Sequence, residues 1–251
     1  MEKDELTIAL VQANTSGESI GANLAMLEEM LETTDSQTDI MLLPELFNTG
    51  YQNAFTTKPE MMGMQTHRWM KQMAERKKSA ICGSVAISEG GFVFNRILFV
   101  SPDGQTQHYD KVNVFKFSGE DKLFSVGKTL PLFSFLGWTI KPSICFDIRF
   151  PETIRNQDTH YDLILCSAHW PNPRIAAWDK LLQARAIENQ SFLAAVNRFG
   201  DEGEIHYSGH SVGLDFMGNQ IAETSERAEI KTFSISKSSQ LNFREKFPFL
   251  K

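Results

Sequence analysis

The pattern that most restricts this chain is the alternation of short apolar runs with segments of helical period. Residues 6–12, 39–43, 80–87, 92–100, 138–144, 161–167 and 192–197 are apolar runs of strand length. Further strands are expected at 105–111, 132–136, 208–216, 220–223 and 229–236, with Ser101-Pro102-Asp103-Gly104 and Gly218-Asn219 as turns. Leu24, Leu27 and Leu31, with Met26 and Met30 beside them, mark one face of a first helix. A second is expected over 60–77, with Met61, Met64, Trp69 and Met73 as its apolar stripe. A third is expected over 176–190, with Leu181, Leu182, Ala184, Ala186 and Ile187 near its apolar side. Residues 48–59 read as a polar loop. The elements form two similar βαβ runs before and after residue 125, which places the chain in the α/β class with helices outside. Spacing alone does not choose between one sheet and two. With no linker, repeat or low-complexity tract, residues 1–251 read as one domain.

One junction carries chemistry: Ser143-Ile144-Cys145-Phe146-Asp147-Ile148-Arg149-Phe150-Pro151-Glu152. A buried strand enters it, and Pro151 suits the first residue of a helix. Cys145 therefore stands at a strand-to-helix corner, where a helix N-terminus would favour the thiolate. A buried cysteine is ordinarily a small hydrophobe. An inert core strand, however, would not continue into Asp147 and Arg149, and Cys145 is the candidate nucleophile. Cys82 and Cys166 sit inside apolar runs and read as packing.

A nucleophile needs a base and an oxyanion partner. Glu45 ends the apolar run Asp39-Ile40-Met41-Leu42-Leu43-Pro44, where burying a carboxylate is costly unless it is used. Lys111 lies in Tyr109-Asp110-Lys111-Val112-Asn113-Val114-Phe115, an expected amphipathic strand. Glu120 follows in the irregular stretch 113–128, expected to be an active-site loop.

Taken in the order Glu, Lys, Cys, these motifs resemble the nitrilase superfamily of carbon–nitrogen hydrolases. The carriers are Leu43-Pro44-Glu45, Tyr109-Asp110-Lys111, Cys145 to Glu152, Ala184-Arg185-Ala186-Ile187-Glu188-Asn189-Gln190 and Arg244-Glu245-Lys246-Phe247-Pro248. The likeness runs through nearly the whole chain and is strongest to the omega-amidase, or 2-oxoglutaramate amidase, branch. It implies a four-layer α-β-β-α sandwich assembled as a homodimer or larger homo-oligomer. It also implies hydrolysis of the ω-amide of a small 2-oxo acid, 2-oxoglutaramate or 2-oxosuccinamate, through a thioester and without a cofactor. Glu45 would be the base, with Lys111 and the Phe146 N–H holding the oxyanion. Glu120 would position Lys111 or assist the water. The family usually has a histidine two residues after the lysine, where this chain has Asn113. The rival expectations are an amidase for N-carbamoyl compounds or deaminated glutathione, and an inactive scaffold of the same fold.

Substrate choice points to Ser167-Ala168-His169-Trp170-Pro171-Asn172-Pro173-Arg174, which should wall the same pocket. His169 belongs to that wall, Trp170 offers a flat apolar face, and Arg174 offers a fork for a carboxylate. The bland alternative is that Arg174 pairs with a nearby surface acid. A net charge of −6 argues against nucleic acid or an anionic membrane as partner. The three cysteines lack framework spacing and the first residues lack a signal-peptide core, so a cytoplasmic protein is expected. Gly209-His210-Ser211-Val212-Gly213 mimics a serine-hydrolase elbow, but no helix pattern or later histidine follows it. Gly127-Lys128-Thr129 lacks the first glycine of a phosphate loop, and no histidine–cysteine spacing makes a convincing metal site.

Overall fold

The computed structural model describes residues 2–15, 19–34, 37–52, 54, 58–157 and 161–250. Its first half runs β1 (Glu5–Gln12), α1 (Ile20–Glu32), β2 (Ile40–Leu42), α2 (Gln65–Lys77), β3 (Ala80–Glu89), β4 (Phe92–Val100) and β5 (Thr106–Asp110). The second half runs α3 (Glu120–Leu123), β6 (Phe133–Phe135), β7 (Trp138–Ile144), α4 (Pro151–Ile154), β8 (Leu163–Ala168), α5 (Ile175–Glu188) and β9 (Phe192–Asn197). It then continues through β10 (Phe199–Glu202), β11 (Ile205–Ser208), β12 (Val212–Leu214), β13 (Gln220–Glu223), β14 (Glu229–Ser236) and α6 (Lys237–Lys246).

Period-two alternation sorts these strands into layers. In β1, Leu6, Ile8 and Leu10 face one apolar cluster while Ala9 and Val11 face another. β2 and β3 repeat the split, with Ile40, Leu42, Ala80 and Cys82 on the first side and Met41 and Ile81 on the second. The second side packs on Leu24, Leu27 and Leu31 of α1 and on Trp69, Met70 and Met73 of α2. The first side meets Trp138, Ile140 and Ile144 of β7. One sheet has the order β14-β1-β2-β3-β4-β5 and the other β13-β12-β9-β8-β7-β6, each parallel at its centre and antiparallel at its edges. Strands buried on both faces explain why the central runs read as continuously apolar. With helices outside both sheets, the chain is the four-layer α-β-β-α sandwich.

Several boundaries differ from expectation. The second helix starts at Gln65, leaving Met61 and Met64 59% and 43% exposed, and Met70 takes their place in the stripe. On α5, Leu182, Ala186 and the buried Arg185 face inward while Ile187 is exposed. Residues 208–216 are not one strand. Gly209 and His210, both at positive φ, break them, so β11 pairs with β10 in a separate ribbon and β12 joins the second sheet. β5 ends at Asp110, so Lys111 lies just beyond the strand. The corner after β7 is a 3-10 turn, Cys145–Arg149, followed by only four helical residues, with Pro151 first as expected. Part of the polar loop, residues 53 and 55–57, lies outside the described residues. Among the described residues no helix is long and apolar enough to cross a membrane.

Gly83 of β3 permits the close approach on which the next element depends. A Cβ there would lie 2.8 Å from Leu43 Cβ and 2.8 Å from Phe47 Cδ1. Gly83→Ala is therefore expected to cost about 1–3 kcal/mol by overpacking and to lower the thermal midpoint. It should also reduce activity, because Leu43 and Phe47 flank Glu45. A variant as stable and active as the wild type in thermal unfolding and turnover would show that this contact yields freely.

Candidate active site

Two strained turns face each other across the sandwich. The first follows β2, where Leu46 adopts φ 46°, a left-handed conformation uncommon outside glycine. The Leu46 N–H donates to Ser84 Oγ at 2.9 Å, and the Leu43 N–H donates to the Cys82 carbonyl at 2.7 Å. This turn buries Glu45 completely. Its Oε1 accepts from Lys111 Nζ at 2.8 Å and Asn95 Nδ2 at 2.7 Å, and its Oε2 accepts from the His169 N–H at 3.0 Å.

Lys111, 1% exposed, donates equally to a second fully buried carboxylate, Glu120 Oε1 at 2.7 Å. Glu120 opens α3 after Gly119, and its other oxygen accepts the Phe115 N–H. Burial alone would depress the Lys111 ammonium, but Glu120 and Glu45 outweigh it and hold the pKa well above the usual range. Burial and the charge of Glu120 raise Glu45, against the pull of Lys111.

The second turn carries Cys145, itself at φ 45°. Asp147 holds it: Oδ2 accepts the Ile144 N–H at 2.9 Å and the Tyr109 hydroxyl at 2.8 Å. The backbone N–H and side-chain amide of Asn113 both donate to Asp147 Oδ1 at 3.0 Å, so the residue that departs from the family pattern supplies two donors here. The thiol lies against the Glu45 carboxylate and 3.7 Å from the His169 carbonyl. Burial, then the charge of Glu45, push its pKa well up, with Lys111 opposing. This corrects the expectation of a thiolate at a helix N-terminus. One 3-10 turn offers too little dipole to offset a dry site of net negative charge. Cys82 and Cys166 are fully buried, with thiols pushed up to above the usual range by burial.

These groups floor a cavity of about 750 Å³. Cys145, Lys111, Phe146, His169, Trp170 and Arg174 all line it, so every expected residue reaches it except Glu45 and Glu120, which stand behind Lys111. Trp170 is buried, its indole N–H donating to the Arg174 carbonyl at 2.8 Å. The Arg174 guanidinium lies over Phe115, 5.2 Å from the ring centroid. Among the described residues no carboxylate lies within 4 Å of it, against the surface-pair alternative. Sequence reasoning passed over Arg149, whose guanidinium sits 4.8 Å over Trp170, and Tyr51 and Tyr207, which complete the walls. It also passed over Asn95, which orients Glu45. Arg149 could have been found, since it lies four residues after the nucleophile in the same motif.

Residues 7–240 match the model of the carbon–nitrogen hydrolase family. The chain is 38% identical over 232 residues to an omega-amidase, YafV, of Yersinia enterocolitica, covering 90% of this chain and 88% of the relative. It is 32% identical over 246 residues to a 2-oxoglutaramate amidase of Bacillus subtilis, covering 96% and 95%. The crystal structure of XC1258 from Xanthomonas campestris, a CN-hydrolase superfamily protein with an arsenic adduct in its active site, superposes with a TM-score of 0.95 at 38% identity. That superposition covers 99% of this chain and 97% of the other. Saccharomyces cerevisiae Nit3, 21% identical with a TM-score of 0.89, shares the fold over 100% and 97%. By sequence and by fold, the chain belongs to the carbon–nitrogen hydrolase family.

Proposed function

We propose that this protein is an omega-amidase, hydrolysing the ω-amide of a small 2-oxo acid to the dicarboxylate and ammonia through a thioester on Cys145. One observation carries the reading: Cys145 and Lys111 floor a pocket with Glu45 directly behind them, and the two arginines at its mouth have no carboxylate partner among the described residues. The names of the similar omega-amidase and 2-oxoglutaramate amidase support the substrate class.

Glu45 takes the thiol proton as sulfur attacks the amide carbon. The oxyanion forms between Lys111 Nζ and the Phe146 N–H, and Glu45 passes its proton to the departing ammonia. Glu45 next draws a proton from water, which attacks the thioester and frees the acid. Glu120 keeps Lys111 charged and aimed. Arg149 and Arg174 grip the far carboxylate, while Trp170 lies flat against the carbon chain. The whole chain acts as one catalytic unit, and the free, buried cysteines suit a reducing cytoplasm. A homodimer or larger homo-oligomer is part of the same reading.

Three outcomes test it. Wild-type enzyme quenched during turnover of a slow amide should gain an acyl mass that peptide mapping places on Cys145. Cys145→Ala should fold and be inactive, and an adduct on Cys82 or Cys166 would sink the mechanism.

Glu45→Gln should lose activity by orders of magnitude and should not accumulate acyl-enzyme. Because burial raises Glu45 above the ordinary carboxylate value, kcat/KM should fall as pH drops through a pKa above 4.5. An acid limb at or below the ordinary value, or unimpaired acylation by Glu45→Gln, would transfer the base role to another group.

Arg174→Met and Arg149→Met should each raise KM for 2-oxoglutaramate about 10- to 100-fold, the loss of one charged hydrogen-bonding partner. The rise for a small neutral amide should be much smaller. Equal effects on both substrates would remove that arginine from carboxylate recognition.

A further inference from the structure

His169 is a polar side chain in the pocket to which the proposed reaction gives no task. It is only 4% exposed and lines the cavity, yet neither ring nitrogen has a hydrogen-bond partner among the described residues. Its main chain is occupied, donating its N–H to Glu45 and accepting from the Cys145 thiol at its carbonyl. Packing fixes the ring, edge-on to Tyr207 with centroids 5.5 Å apart and tilted against Tyr51 at 6.0 Å. Leaving a buried donor without a partner is destabilising. A ligand that supplies the partner relieves that cost.

The protonation state narrows what the ligand group can be. Burial, and then the nearby Arg198 guanidinium, push the imidazole well below the ordinary histidine range. The ring is therefore neutral at working pH, with one donor and one acceptor nitrogen. A neutral ring is a poor anchor for a carboxylate and a good one for an uncharged oxygen.

A 2-oxo acid ω-amide has three polar groups, and two are already matched. The amide faces Glu45, Lys111 and the Phe146 N–H, and the carboxylate faces Arg149 and Arg174. Resting on that proposed function, we infer that His169 is the specificity-determining residue for the 2-oxo group, its ring N–H donating to the oxo oxygen. An analogue with a methylene in place of that carbonyl leaves the donor unpaired once the pocket's water is displaced. Sites built to hydrogen-bond a substrate reject an analogue lacking the partner more strongly than an apolar pocket rejects a change in size.

The test is the ratio of kcat/KM for 2-oxoglutaramate to that for 5-amino-5-oxopentanoate, the same chain without the oxo group. It is measured in the wild type, His169→Phe and His169→Asn, with circular dichroism confirming the fold. The wild type should prefer the 2-oxo substrate about 10- to 100-fold, one buried hydrogen bond's worth. His169→Phe keeps a ring between Tyr51 and Tyr207 but removes both nitrogens, and the ratio should fall to about 1, chiefly through KM of the 2-oxo substrate. His169→Asn restores an N–H donor and should recover part of the preference. If the Phe variant does not fold, His169→Ala against His169→Asn reads the same ratio. An unchanged ratio in His169→Phe, or an equal loss on both substrates, would overturn the inference, because the residue would then act only through its main chain. A wild type that hydrolyses both substrates equally well also overturns it while leaving the amidase standing. A wild type that hydrolyses only the deoxygenated substrate overturns the omega-amidase reading as well.

Discussion

The rest of the site depends on one buried ammonium held between two buried carboxylates. Taking such ions out of water costs several kcal/mol each, and attraction offsets this only with good geometry and filled lone pairs. Lys111 meets Glu45 at 2.8 Å and Glu120 at 2.7 Å, while Asn95 and the N–H groups of His169 and Phe115 occupy remaining carboxylate positions. The cluster is net negative, so a thiolate beside it is disfavoured and Cys145 rests as a thiol. In the proposed mechanism, proton transfer to Glu45 would therefore accompany carbon–sulfur bond formation. The negative charge leaving Glu45 would reappear on the oxyanion, still beside Lys111, so the attack would move charge within the site rather than create it.

That cluster forms only because each sheet holds the other's reactive residue. Glu45 leaves the first sheet, but its Oε2 is fixed by the His169 N–H from the second, and Ser167 Oγ donates to the Leu43 carbonyl beside it at 2.8 Å. Cys145 leaves the second sheet, but Asp147, which ties its turn, is held by Tyr109 and Asn113 from the first half. Left-handed φ at Leu46 and Cys145 costs on the order of 1–3 kcal/mol each and persists only where the surroundings over-determine it. The core between the sheets supplies that constraint at Cys145, and a smaller cluster with Ala86, Val114 and Phe124 supplies it at Leu46. The strain thus belongs to the same reciprocal arrangement that aligns Cys145 with Glu45.

How much of this could be read from the sequence follows from where the signals lie. The central strands were readable because burial on both faces makes them continuously apolar. The Glu45, Lys111 and Cys145 stretches were readable because charged residues interrupt or end apolar runs there, whereas Glu120, in an irregular stretch, stood out only through the family resemblance. α6 was not, because the helix buries only the polar Gln240 and is anchored by polar contacts. The Gln240 amide donates to the Asp162 and Gln190 carbonyls, and Arg244 donates to the Tyr161 carbonyl. The β10–β11 ribbon hides in Gly200-Asp201-Glu202-Gly203-Glu204, whose polarity reads as loop. The return of β14 to pair with β1 joins residues at opposite ends of the chain, for which local periodicity carries no information. Asn95 and Tyr207 likewise reach the site only through strand pairing and packing. The Cys145 corner misled for another reason: Pro151 does start a helix, but four residues later that helix is over.

The mouth of the pocket gives a reason for the many aromatic residues around it. The chain carries a net charge of −6, yet the cavity presents Lys111 at its floor and Arg149 and Arg174 nearer solvent. Each guanidinium lies over an aromatic ring, Arg149 over Trp170 and Arg174 over Phe115. A ring contact holds an arginine without needing its N–H donors, so in the proposed function those donors would be open to an incoming carboxylate. A carboxylate partner from the protein would have fixed the side chains equally well but neutralised them. Aromatic support therefore leaves a local positive field at the mouth of the cavity in an acidic protein, which in the proposed omega-amidase would draw an anionic substrate toward Cys145. Lys111 is only 1% exposed at that floor, so in the proposed mechanism its charge would act on the oxyanion with less screening than at the surface.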